Sequence, residues 1–322
     1  MLSYYSKNMR THFLLLLVAI IWGSSWAAGR ILSSGLNSDN PANLSPATGA
    51  WLRYTVVVIM FYIWYIYKFM RGDVVRFLPP DKNTWQRMAI LGFFAVMIYQ
   101  LLFMHGMKWT AAGDASLIIP INPVFTVILA YPMLGQKISK KIIIGLLLSM
   151  AGVSIVVGWS PNTDIPYKER MLGDLMIILA ALSWAASSII TKQTMKRNKN
   201  GNITATEIVV WYSLIGWIML TPWMIFELWE SPMPQPTTTE IITILYLGSF
   251  STVFAYVWFV KGIDKIGPTA SASYVFLVPI FGIITGWAVL DEEIGASMLI
   301  GFLLIVAGVR EVQRESERLV DN

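Results

Sequence analysis

Residues 278–309 read VPIFGIITGWAVLDEEIGASMLIGFLLIVAGV, and residues 122–153, 156 positions earlier, read NPVFTVILAYPMLGQKISKKIIIGLLLSMAGV. The two stretches align without a gap: VPIFGII falls on NPVFTVI, LDEEI on LGQKI, and IGFLLIVAGV on IGLLLSMAGV. The same offset brings LGSF at 247–250 onto LGFF at 91–94 and Gly262 onto Gly106. An offset of 162 brings Trp184 onto Trp22 and Lys192 onto Arg30. Self-similarity over this distance marks a duplicated half, so the two halves are expected to fold alike.

Composition says what the duplicated unit is. Of 322 residues, 56% are hydrophobic and 13% charged, with a mean hydropathy of +0.59; a soluble domain has too little polar surface to cover so much apolar area. Stretches long enough to cross about 30 Å of hydrocarbon fall at 12–33, 47–69, 87–107, 109–131, 141–159, 172–194, 205–229, 240–262, 266–289 and 296–310. The reading is an all-α integral membrane protein of ten transmembrane helices. It comprises a first five-helix repeat at 1–160, an outer linker at 161–171, a second repeat at 172–310 and a cytoplasmic tail at 311–322. Five is odd, so the second copy enters the bilayer from the opposite side and the repeats are inverted. Inverted repeats suit alternating access, because two like halves can exchange an inward-open for an outward-open arrangement.

Charge sets the orientation. With the N-terminus inside, nineteen of the 24 Lys and Arg lie in inner segments, among them Lys7, Arg71, Lys140, Lys196 and Arg314, while the outer loops hold Lys108, Lys168 and Arg170. By the positive-inside rule both termini are expected in the cytoplasm, with the protein in the cell membrane and the lipid bilayer as its main neighbour. Basic residues spread over short loops do not make the single basic face that a nucleic-acid partner needs, despite a formal charge of +5. Zero cysteines exclude a disulfide framework, a thiolate metal site and a Cys nucleophile, and two histidines, His12 and His105, are too few for a His-based zinc site; no cofactor is expected. The first apolar stretch is longer than a signal-peptide core and lacks a small-residue cleavage site, so it is kept as span 1.

Several motifs recur in order and in duplicate: IIWGSSW and ALSWAAS early in each first helix, Arg53 in WLRYT, Pro123 in INPVF and Pro279 in LVPIF, and the LDEEI…GFLLIVAGV ending. From about residue 12 to 312 the chain thereby resembles the EamA family of the drug/metabolite transporter superfamily. The resemblance implies a ten-helix secondary transporter that exports a small-molecule substrate, amino acids or similar amphipathic metabolites, with nucleotide- or sugar-linked metabolites and drugs as alternative cargo. It also implies a Glu after the fourth helix of each repeat. Glu292 keeps it; Gln136 replaces it in the first half.

Ionisable groups inside spans are costly in hydrocarbon and mark function by default. Arg30, Arg53, His105 and Asp114 fall at similar depth near the outer side and are expected to cluster. Two readings stand: a vestibule in which Arg53 or Arg30 meets a substrate carboxylate, or an Arg53–Asp114 clamp between helices with Arg30 reaching the interface. Deeper, the expected substrate-binding set is Trp22, Ser25, Arg53, Tyr99, Gln100, Asn122, Trp184, Tyr256, Ser273 and Tyr274, hydrogen-bonding and stacking groups suited to an amphipathic molecule. For hydroxyls and amides the alternative is helix packing and interhelical bonding. Pro123, Pro279, Asp114 and Glu292 are the expected gate or hinge residues. The prolines should kink spans 4 and 9 at related depths, Pro279 freeing a carbonyl near Tyr274 and Val275. Gly145/Gly152 and Gly301/Gly308, seven apart on otherwise aliphatic spans 5 and 10, fit scaffold helices packed along small-residue seams, or a homodimer contact.

Other classes fit less well. A small-multidrug-type cation antiporter wants a carboxylate in the middle of its first helix; span 1 has none, and no span is expected to carry an acid at mid-depth. An intramembrane enzyme needs HExxH, paired membrane aspartates near Gly, or a Gly-x-Ser-x-Gly with a His, and the chain has no such set, so it is not read as an enzyme. No ring of charge or filter-like segment marks a channel.

Overall fold

The computed structural model describes residues 2–37, 39–134, 139–197, 203–230, 235–266, 271 and 274–321. Among them, nine helices are long and apolar enough to cross a membrane: Met9–Ser34, Pro46–Met70, Lys82–Trp109, Ala112–Met133, Lys140–Gly158, Tyr167–Met195, Ala205–Glu230, Thr238–Gly262 and Ala296–Glu315. A shorter apolar helix, Val278–Leu290, occupies part of the expected span 266–289; residues 267–270 and 272–273 of that stretch lie outside the described residues.

In chain order these are α1 (Leu2–Ser34), a hairpin of β1 (Gly35–Asn37) and β2 (Asn40–Pro41), α2 (Pro46–Met70), α3 (Lys82–Leu91), α4 (Tyr99–Trp109), α5 (Ala112–Ile118), α6 (Asn122–Leu134) and α7 (Lys140–Gly158). There follow α8 (Tyr167–Arg197), α9 (Ala205–Glu230), α10 (Thr238–Leu245), α11 (Ala255–Ile266), α12 (Val278–Leu290) and α13 (Ala296–Asp321). The hairpin is antiparallel, Gly35 opposite Pro41 and Asn37 opposite Asn40. Helix starts carry the expected side chains: the Asp81 carboxylate accepts from the Thr84 N–H (3.0 Å), Ser139 caps α7, and Thr237 and Glu240 form a capping box on α10.

Two third helices are not plain α-helix. Gly92–Ile98, between α3 and α4, and Tyr246–Phe254, between α10 and α11, are π-helical. A shift of 156 residues carries α6 onto α12 and the starts of α3, α4 and α7 onto those of α10, α11 and α13. The packing shows the same correspondence: α1 lies against α11 and α12, α8 against α4 and α6, α2 against α9, and α7 against α13. The first helix of each half is thus seated on the third and fourth helices of the other, and the halves are interleaved.

The glycine seams of α7 and α13 face each other within one chain. A Cβ on Gly152 would stand 2.8 Å from the Gly301 carbonyl oxygen, and one on Gly145 would stand 2.7 Å from that of Gly308. This seam is therefore occupied by the chain itself. The outer faces of these helices, with Ile143, Ile144, Leu147, Leu299 and Leu303, are exposed, as are Trp223, Phe226 and Trp287 elsewhere. Such an apolar belt is the surface a bilayer covers.

The prolines stand where the winding of each fourth span changes or begins. The fourth span is broken by a 3-10 turn at Ile119–Ile121, and Pro123 is the second residue of α6; Pro279 is the second residue of α12. In the first turn of α12 the missing Pro279 N–H has no intrahelical partner to lose, whereas Pro123 lies within the Ala112–Met133 helix, directly after its 3-10 turn. Next to the carbonyl that Pro279 is expected to free, that of Tyr274 accepts from the Leu277 N–H (3.0 Å).

Candidate substrate site

Arg53 is a buried charge on α2. It lies seven residues into α2, about 10 Å from the helix start at 1.5 Å per residue, and is 8% exposed. Nη1 donates to Gln100 Oε1 (3.2 Å) and Nη2 to Thr252 Oγ1 (3.0 Å), and the guanidinium stands 5.8 Å from the Phe103 ring centroid. The Thr252 hydroxyl in turn donates to the Leu247 carbonyl five residues back (2.9 Å), a bond the π register provides. Nε has no partner, and among the described residues no carboxylate pairs with Arg53. The hydroxyls of Tyr54, Tyr99 and Tyr256 lie within reach of its charge. A guanidinium removed from water and given only neutral partners leaves a positive potential that an anion would satisfy.

Aromatic side chains surround this charge on two sides. Trp22 of α1 meets Tyr256 edge-on (5.5 Å between centroids) and Phe259 (5.1 Å), while Tyr99 stacks along Phe103 (6.1 Å) and meets Trp184 of α8 edge-on (5.8 Å). The two π segments are held by the first helix of the opposite half. Trp22 Nε1 donates to the Ser251 carbonyl (3.0 Å), and Ser183 Oγ donates to the Phe94 carbonyl (2.7 Å). Arg53, Gln100, Trp22, Tyr99, Trp184 and Tyr256 of the expected set therefore come together, joined by Tyr54, Phe103 and Thr252, which the sequence reading did not single out.

The rest of that set does not join them. Ser25 Oγ donates to the Trp22 carbonyl in its own helix (2.6 Å), and Asn122 Nδ2 donates to the Ala181 carbonyl (2.9 Å), tying α6 to α8. The Tyr274 hydroxyl bonds His12 Nδ1 (2.8 Å), ten residues along α1 from Trp22 and so about 15 Å away. Ser273 and Gln136 lie outside the described residues.

The expected cluster at the end of the bundle where α1 finishes, the Ser34 end, resolves into separate contacts. Arg30 Nη1 donates to the carbonyls of Met107, Lys108 and Thr110 (3.0, 3.0 and 2.8 Å). His105 donates from Nδ1 to the Leu101 carbonyl (2.8 Å) and stands 3.9 Å from Glu227. Asp114 makes no ion pair with Arg53; its charged neighbours are Asp174, Glu292 and Arg170. Equal depth along different helices does not fix which way each side chain faces: Arg30 and Asp114 share Glu292 as a neighbour, while Arg53 and His105 have other partners.

Three glutamates of the second half instead cap backbone of the first. Glu227 accepts from the Ala47 and Thr48 N–H groups at the start of α2 (2.9 and 2.7 Å), and Glu240 from those of Asn43 and Leu44 (both 2.8 Å). Glu292 accepts from Ala112 and Gly113 at the start of α5 (2.6 and 2.8 Å). Asp291, in the left-handed conformation at φ 55°, ends α12 and turns Glu292 back toward α5. Burial pushes the Glu292 carboxyl above the ordinary glutamate range; the Gly113 and Ala112 N–H bonds and the Arg30 charge pull the other way and offset only part of it.

An all-helical bundle with an apolar exterior, whose broken and π-wound helices converge on a buried, anion-seeking charge, is a membrane transporter. The sequence profile of the EamA-like transporter family matches residues 9–158 and again 171–311. The chain belongs to this family, part of the drug/metabolite transporter superfamily, and is a multi-pass membrane protein. An uncharacterized transporter of Archaeoglobus fulgidus is 26% identical over 94% of this chain and 96% of its own length. A probable amino-acid metabolite efflux pump of Salmonella typhimurium is 26% identical over 92% of each chain. A crystal structure 16% identical in sequence superposes with a TM-score of 0.61 over 97% of this chain and 99% of that one, which shows a shared fold.

Proposed function

We propose that the protein is a secondary transporter that exports small amphipathic metabolites bearing a carboxylate, amino acids foremost, by alternating access of two inverted five-helix repeats in the cell membrane, with both termini cytoplasmic. The observation that carries the substrate class is Arg53, buried, bonded to Gln100 and Thr252, and without a carboxylate partner among the described residues. A substrate carboxylate is the missing counter-ion, and the rings of Trp22, Tyr99, Trp184 and Tyr256 supply the apolar contact for the remainder of the molecule. The repeated element boundaries and exchanged helix partners support the paired-repeat architecture. The efflux-pump name of the Salmonella typhimurium relative favours export of amino-acid metabolites.

The test is flux of radiolabelled amino acids in proteoliposomes. Saturable transport should fall in Arg53→Ala through lost affinity, by about 10–100-fold for removal of one partner of a buried charge pair, and Arg53→Lys should keep part of it. An amine analogue without the carboxylate should compete poorly with wild type and equally poorly with Arg53→Ala. Unchanged affinity in both variants would make Arg53 structural and remove the basis for a carboxylate substrate.

A further inference from the structure

At the Ser34 end two buried carboxylates stand on helices that pack together, α5 and α8. Asp114, in the first turn of α5, is fully buried, and neither of its oxygens has a hydrogen-bond partner; the Ser160 hydroxyl is close by, outside hydrogen-bond geometry. Asp174 of α8 is also fully buried: Oδ1 accepts from the Thr110 hydroxyl, and Oδ2 has no partner. Arg170, one turn earlier on α8, donates through Nη1 to the carbonyls of Ser160 (3.3 Å) and Asn162 (3.1 Å), while its Nε is unpartnered. Asn162 accepts through Oδ1 from the Glu293 N–H (2.8 Å) and leaves Nδ2 unpartnered. Five of the buried side-chain N and O atoms without a partner among the described residues belong to these four residues, so polar mismatch is concentrated here.

The charges around α5 do not balance. α1 contributes Arg30; α8 contributes Arg170 and Asp174, with Lys168 and Glu169 exposed; the loop after α12 contributes Glu292, with Asp291 and Glu293 exposed. Lys108 and Asp164 are exposed in the neighbouring connections; α12 has no ionisable residue, and those of α7 and α13 lie at the far end of the bundle. Three carboxylates, Asp114, Asp174 and Glu292, are thus set among two arginines, leaving one negative charge in excess.

We propose that Asp114 holds a proton, with buried Asp174 as its like-charged neighbour, a proton-binding site at the junction of α5 and α8 that couples the carrier to a proton gradient. The coupling rests on the transport reading above; the proton site itself does not. A proton suits the place better than a metal ion, because the Arg170 guanidinium and the Asn162 amide N–H would repel a cation, and among the described residues no group of three acidic, His or Cys side chains could hold one. With the proton present, the buried Asp114 carboxyl is neutral beside Asp174. With it gone, two like charges stand in a low-dielectric junction and drive α5 from α8, opening the seam that the Thr110–Asp174 bond closes.

Infrared spectra of the purified full-length protein in nanodiscs, without substrate, test the site. A protonated-carboxyl C=O band should be lost as pH rises, the occupied fraction ratio falling about tenfold per pH unit for one proton. Asp114→Asn should abolish the band, Asp174→Asn should shift or abolish it, and Glu293→Gln should leave it alone. No such band in wild type, or one that survives both aspartate variants, overturns the proposal, and because wild type alone can refute it, poor folding of a variant does not protect it. In proteoliposomes a pH gradient should drive amino-acid flux by wild type, whereas Asp114→Asn should retain exchange without response to the gradient. Wild-type flux indifferent to pH but driven by sodium would also overturn it. A complete lack of amino-acid flux would refute the substrate reading instead and leave the infrared result standing.

Discussion

Glu292→Ala should loosen the start of α5. The wild-type carboxylate accepts two backbone N–H groups, those of Ala112 (2.6 Å) and Gly113 (2.8 Å), both buried. A hydrogen bond to a charged group contributes about 1.5–3 kcal/mol, and a buried donor left unmade costs about 1–3 kcal/mol; two bonds, less the relief of removing a buried charge, give an expected loss of about 2–4 kcal/mol. Glu292→Gln keeps one acceptor oxygen and also sheds the charge, so its cost should stay below about 1.5 kcal/mol. Gly286 makes room for this carboxylate, since a Cβ there would overlap Oε2, so Gly286→Ala should mimic Glu292→Ala and add little to it in the double variant. Unfolding in mixed micelles with rising SDS fraction, followed by the fluorescence of the 14 tryptophans, reads these differences. Glu293→Ala, whose backbone bond to Asn162 survives, is the control. If Glu292→Ala stayed within about 0.5 kcal/mol of wild type, the range of an ordinary surface change, the capping role would be wrong.

Further outcomes follow from the same structure. Because burial raises the Glu292 carboxyl in the folded state, the stability advantage of wild type over Glu292→Gln should be greatest below the ordinary glutamate range, fall as pH rises through the raised value, and be flat above it; an advantage that grew with pH would reverse the sign assigned to burial. In the α7–α13 seam, Gly152→Ala should destabilise by about 1–3 kcal/mol, the usual cost of overpacking, whereas Gly158→Ala, with nothing within 4 Å, should be neutral or better in the same melts. Trp51 Nε1 donates to Thr221 (3.1 Å) and Trp217 Nε1 to Thr55 (2.9 Å), with the two rings stacked at 5.3 Å, so Trp51→Phe and Trp217→Phe should show a coupling of about 0.5–1.5 kcal/mol in a double-mutant cycle. Additive losses would mean that the stack contributes nothing of its own.

The spans are legible in the sequence because burial in lipid demands long apolar runs, and the repeat is legible because both copies preserve residue order over a fixed offset. Arg53, Gln100 and the aromatic residues are legible as a site because a charge or amide at that depth must find special company. What escapes is direction and partnership. Ser25 and Asn122 have the right chemistry, but their polar atoms are satisfied by backbone at 2.6 and 2.9 Å, a fact of rotamer and neighbour that composition does not carry. Asp174 sits inside an apolar window two residues from its start and passes for a span-end residue, yet the fold buries it completely, with Oδ1 on the Thr110 hydroxyl. Glu227 and Glu240 look like ordinary loop-side acids until the other half's helix starts are brought to them.

The two π segments have a consequence for how this family could change its preferences. Each accommodates a wider turn than α-helix, and the site residues Tyr99, Gln100 and Phe103 follow the first, as Tyr256 follows the second. Tightening either segment by one residue would turn everything beyond it by about 100°, the angle between neighbouring α-helical positions, while the ends nearer the capped α3 and α10 starts stayed in place. Gln100 would swing off Arg53, and a different side chain would be dialled into its position. A single-residue deletion within 92–98 or 246–254 is therefore a combination lock on cargo choice, one that resets the inner face of the carrier without altering a residue of it.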